Sequence, residues 1–108
     1  VAIIVGVVVT SATPPVDPAT IEIEGLETFD NLEALHVQSA VDYTMTPPAS
    51  GPHNPTWLNC GIYEEAVPAE YAVHSLEHSA VWVTYDPEQV QGADLDALRN
   101  AMPRSYII

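Results

Sequence analysis

The spacing of apolar and polar positions changes character several times along the chain. Residues 1–9, VAIIVGVVV, are apolar without interruption, too short for a membrane-spanning helix, which needs about 20 such residues. The proline-rich TSATPPVDPAT follows at once, so 1–10 is expected to be the trailing part of a membrane anchor or signal segment and 11–20 a linker. A short β-branched strand is the competing reading of 1–9. Next, TIEIEGLETF alternates Ile21 and Ile23 with Glu22 and Glu24 before Gly25, the period-two pattern of a strand. ALHVQSAVDYTM brings the strand formers Val37, Val41 and Tyr43 and ends at Pro47 and Pro48.

TPPASGPHNPTWLNCG then carries four prolines and two glycines and is expected to be a long loop, stiffened because proline restricts itself and the residue before it. Between this loop and the next strand, Pro68 and Glu70 suit the start of a short helix. AVWVTY at 80–85 reads as the clearest strand, apolar on both faces. Asp86 suits a helix cap and Pro87 a first helical position, and Val90, Leu95, Leu98 and Met102 trace an apolar face, so a helix is expected over 87–101, with Pro103 ending it and SYII starting another strand. The whole predicts an α+β fold over 21–108, a small, mainly antiparallel sheet with one covering helix and a long proline-rich loop, continuing past the C-terminus.

Charge narrows the function classes. Fifteen Asp and Glu stand against two basic residues, giving a formal net charge of -13. Nucleic acids and anionic lipid surfaces are bound through cationic clusters, so neither is an expected partner, whereas cations are attracted. An acidic surface also serves solubility. Cys60 is the single cysteine, so the chain closes no disulfide within itself.

The four histidines, His36, His53, His74 and His78, fall between the first expected strands and the start of the clearest one. Imidazole is the commonest metal ligand. If 74–78 is helical, His74 and His78 share a face with Cβ atoms about 5–6 Å apart and can chelate. If it is extended, a rise of about 3.3 Å per residue sets them roughly 13 Å apart and they cannot. The metal ligands expected are therefore His53, on its stiffened loop, with His74 and His78. His36, Met45 and Cys60 are weaker candidates, and copper or zinc is the expected ion. The plainer alternative is that His74 and His78 face a partly polar end of the core, with Glu77 hydrogen-bonded to one of them.

HSLEH also fits the H-x-x-E-H pattern, in which two histidines bind zinc and the glutamate, here Glu77, activates water. That chemistry needs a sustained helix and a further acidic ligand, while an apolar strand is expected two residues after His78. Phosphate-cradling glycine loops, G-x-S-x-G elbows and C-x-x-C pairs are missing from the sequence.

Taken in order, TMTPPASGPHNPTWLNCGIY and YAVHSLEHSAVWVTYD resemble the bacterial family called domain of unknown function 3105, from about Glu24 onward. The resemblance implies a single-span membrane or secreted protein with an outward-facing domain, and its pattern carries onto His36, His53, His74, Glu77 and His78, and onto Gly51, Pro52 and Tyr85. It usually places glycine after the second histidine of the pair, where this chain has Ser79; a backbone needing positive φ there would be strained. The expected function is a membrane-anchored, extracytoplasmic module, not an enzyme, that binds copper or zinc. A scaffold domain with an unidentified protein partner and a zinc-dependent hydrolase are the alternatives.

Overall fold

The computed structural model describes residues 17, 20–29 and 33–103. The anchor or signal remnant expected at 1–10, most of the linker expected at 11–20 and the strand expected at SYII lie outside the described residues. Within them are two helices, α1 (Ala69–Glu77) and α2 (Gly92–Ala101), and no strand. Neither is long and apolar enough to cross a membrane.

The expected antiparallel sheet is therefore corrected. The one extended pairing among the described residues is a parallel bridge between His36 and His53, in which Val37 N–H donates to the His53 carbonyl at 2.8 Å and His53 N–H to the Leu35 carbonyl at 2.9 Å. The sequence on either side stops it from growing. Continuing toward the C-terminus requires an N–H from residue 55, which is proline and has none. Continuing the other way requires the Gly51 carbonyl, which instead accepts from the His53 ring at 2.8 Å.

Among the described residues, the other two runs with strand composition form no ladder. Ile21 and Ile23 remain 42% and 58% exposed around a turn in which Leu26 N–H donates to the Ile23 carbonyl at 3.1 Å. The segment 80–85 has no described partner strand, and Val81 is 44% exposed. β-Branched composition suits a residue to a half-buried pleated surface but does not supply the neighbouring strand.

The covering helix is also shorter than 87–101. Asp86 does act as a cap: its carboxylate accepts from Glu88 N–H and from the Gln89 side-chain amide, each at 2.8 Å. Its carbonyl accepts from Gln89 N–H at 3.0 Å and Val90 N–H at 2.9 Å. The result is one closed turn, after which Gln91 is extended and Gly92, at φ +53°, opens α2.

α1 follows its local signals. Pro68, at φ -61°, precedes it and Glu70 occupies its first turn, where a carboxylate faces the positive end of the helix dipole. At the other end Ser79 N–H donates to the Leu76 carbonyl at 2.9 Å and Ala80 N–H to the Ser75 carbonyl at 3.0 Å. Those two bonds are a Schellman closure, which needs a left-handed residue just after the cap; Ser79 supplies it with φ +67°. Ser79 thus sits at a positive-φ position, where its side chain brings strain.

The innermost positions of the described chain are Pro48, His53 and the α1 residues 72–75. His53 is the largest fully buried side chain, and His74 and Ser75 are each 3% exposed. The packing centre is thus where α1 meets the loop at 51–58, and it is lined by imidazole as much as by hydrocarbon.

Candidate metal centre

Three segments build the site. The bridge sets His36 beside His53, with ring centroids 5.0 Å apart. The loop is fastened to α1 by Asn54 N–H donating to the Glu70 carbonyl at 3.2 Å. It is fastened again at Ser75, whose Oγ accepts from Leu58 N–H at 3.0 Å and lies 3.1 Å from the Leu58 carbonyl. Glu70 also accepts from Val41 N–H at 2.8 Å. Tyr43 braces the far side of the loop, its hydroxyl donating to the Pro52 carbonyl at 2.7 Å. Burial and then the Glu70 carboxylate raise the Tyr43 phenol above its ordinary value of 10.0, so it stays a donor.

Held this way, His36, His53, His74 and Glu77 offer ligand atoms that all lie within 4.8 Å of one another. The rings surround a common point: His36 stacks on His74 at 5.1 Å and 13°, while His53 stands edge-on to His74 at 5.1 Å and 87°. His53 and His74 are buried, and the His36 and Glu77 side chains are 53% and 43% exposed, so the site has a fixed floor and a movable rim. Two donors on one ion are at most about 4.2 Å apart, twice a metal–nitrogen bond of about 2.1 Å. Around a tetrahedral ion the donors stand about 3.4 Å apart, so gathering all four takes up to about 1.4 Å of closure at the widest pair, which falls to the two exposed rim side chains.

The buried imidazoles are oriented by backbone carbonyls. His53 Nδ1–H donates to Gly51 O at 2.8 Å and His74 Nδ1–H to Asn54 O at 2.7 Å. A carbonyl oxygen only accepts, so each Nδ1 carries the hydrogen and each neutral ring turns an acceptor Nε2 inward. This second-sphere arrangement is typical of metal-bound histidine, where it fixes tautomer and ring direction. The inward His53 Nε2 then meets another acceptor, Glu77 Oε2 at 3.1 Å, and His36 Nε2 lies 3.8 Å from the same oxygen. A lone pair facing a carboxylate is an unfavourable contact, which a cation between them, either a metal ion or a proton, relieves.

Of the ligands expected from sequence, His53 and His74 come together, joined by His36. His78 caps α1, its Nε2 2.9 Å from His74 Nε2, and is not among the four mutually close donors. Cys60 is exposed and also outside that set, and Met45 is half-buried. Glu77, expected from sequence as a hydrogen-bond partner of an imidazole or, in the hydrolase alternative, as the base, offers a ligand atom here. The signal was available, because residues three apart on a helix share a face, which places Glu77 with His74. No local pattern announced the meeting of residues 36 and 53.

A family model described as "Protein of unknown function (DUF3105)" matches residues 36–108. The chain belongs to this family. The match begins at the first histidine of the centre and spans every residue that forms it. No curated protein and no solved structure matches the chain.

Proposed function

We propose that this DUF3105 chain is a binding module for one transition-metal ion, held by the Nε2 atoms of His36, His53 and His74 and a carboxylate oxygen of Glu77. The observation that carries the reading is the pair of buried imidazoles whose Nδ1–H groups are committed to Gly51 and Asn54 carbonyls, leaving inward lone pairs that converge with a carboxylate. Three imidazoles and one carboxylate suit borderline divalent ions, Zn²⁺ and Cu²⁺. A structural role accords with this. Apart from the site, the buried positions among the described residues are few and small, and metal binding contributes folding free energy.

Glu77 within the donor set favours binding over hydrolysis, because a ligating carboxylate is not free to act as the base of the H-x-x-E-H mechanism. The module is further proposed to face outward from a membrane, a placement supported by the apolar run at 1–9 and the proline-rich stretch after it. A second reading has its own observation: a proton on His53 Nε2 would make the 3.1 Å contact an imidazolium–carboxylate pair, giving a scaffold domain without metal.

The test is metal analysis of the purified chain after loading with Zn²⁺ or Cu²⁺ and desalting, beside a His53→Ala, His74→Ala double variant. About one ion per wild-type chain and none in the variant is expected. No retained ion in folded wild type would leave the scaffold reading.

A further inference from the structure

The lone pair that His74 would give to a metal is already engaged. With Nδ1–H donating to Asn54 O at 2.7 Å, His74 Nε2 is an acceptor, so the contact at 2.9 Å is a hydrogen bond donated by His78 Nε2–H. The two rings lie nearly parallel, 22° apart with centroids at 4.9 Å. His78 is nevertheless outside the four-donor set. It therefore occupies the same orbital that the metal would use without sharing the same position.

We infer that His78 is an internal competitor of the metal at His74, a positioning residue that aims the empty site and sets how readily a bound ion is released. The inference rests on the metal reading above. Loading forms a metal–nitrogen bond at His74 Nε2 and breaks the N–H···N bond from His78; the hydrogen stays on His78, and nothing is oxidised or reduced. The displaced ring has somewhere to go. It already lines an open cavity of about 390 Å³ with Trp57, Leu58, Cys60, Ser75 and Ala80, and its Cα stands at the C-cap of α1, outside the regular helix.

Trp57, whose ring lies 5.6 Å from that of His78 and 5.9 Å from that of His74, would report the displacement. A site with a built-in competitor gives up its ion more easily than the same ligands without one.

The experiment compares wild type with His78→Ala and His78→Phe in Zn²⁺ titrations and in the rate of Zn²⁺ loss to a chelator, followed by Trp57 fluorescence. Both variants are expected to keep about one ion per chain, bind it about two- to tenfold tighter, the worth of one neutral hydrogen bond, and release it correspondingly more slowly. Unchanged or weaker binding in both would overturn the inference, weaker binding marking His78 as a ligand in its own right. Nitrogen-15 NMR of the metal-free imidazoles tests the same bond without any metal: His74 is expected with its hydrogen on Nδ1 and His78 with its hydrogen on Nε2, and the opposite assignment for either overturns it. If wild type binds no Zn²⁺ while the NMR assignment holds, the metal reading fails and the hydrogen bond stands as structure alone.

Discussion

Replacing Glu77 with Gln separates metal affinity from fold stability, and the two should move in opposite directions. In the metal-free chain the Glu77 carboxylate faces the His53 lone pair at 3.1 Å and closes the last turn of α1, at the negative end of the helix dipole. An amide in its place donates N–H to His53 Nε2, a net hydrogen bond worth about 0.5–1.5 kcal/mol. It also removes an unfavourable charge from the helix C-terminus, worth about 0.3–1 kcal/mol. Glu77→Gln is therefore expected to raise metal-free stability at pH 8 by about 1–2 kcal/mol, a rise in Tm of roughly 4–16 °C for a domain of this size.

With metal the order reverses. Altering even an outer-sphere partner typically lowers metal affinity about 10–100-fold, and removal of a ligating carboxylate should cost no less. A concentration of Zn²⁺ one hundred times the wild-type Kd stabilises wild type by about 2.7 kcal/mol and the variant far less. Thermal denaturation in chelator and then in Zn²⁺ reads both. Loss of stability in chelator would refute the reasoning and point to an imidazolium–carboxylate pair, in which a charged hydrogen bond worth about 1.5–3 kcal/mol is removed. Unchanged Zn²⁺ stabilisation would remove Glu77 from the donor set.

Ser79→Gly relieves a serine held at φ +67°. The left-handed region costs a side-chain-bearing residue about 1–2 kcal/mol and glycine gives back about 0.5–1 through chain entropy, so chemical denaturation should show a gain of about 0.5–1 kcal/mol. Ser75→Ala removes the Oγ that accepts from Leu58 N–H; loss of one net hydrogen bond at this half-buried amide costs about 0.5–1.5 kcal/mol, and amide exchange at Leu58 should quicken with it. Tyr43 is protonated in the fold up to a pH above its ordinary value of 10.0. Its contribution is thus complete below about pH 10 and is lost as pH rises through the higher folded value; Tyr43→Phe should remove that component of the alkaline unfolding curve.

What could be read from the sequence was local. Pro68 and Glu70 marked the start of α1, and the four-residue spacing of His74 and His78 required a helical turn between them, which the structure contains. The need for positive φ at Ser79 followed from family resemblance, and it is the Schellman closure that imposes it. The sheet was misjudged because strand composition at 20–29 and 80–85 describes a surface suited to pairing and does not supply a partner strand, and the described residues contain none. The Asp86 cap was legible, but Gly92 limited it to one turn. The centre itself depends on the long-range bridge between residues 36 and 53, kept to a single pair by Pro55 and by the diversion of the Gly51 carbonyl to an imidazole, and neither device has a local signature.

The most direct test of the central claim is X-ray absorption at the metal edge of the chain loaded with one equivalent of Zn²⁺. The account predicts a four-coordinate nitrogen and oxygen shell at about 2.0–2.1 Å with outer-shell scattering from three imidazole rings. A spectrum of hydrated zinc without imidazole scattering would contradict it.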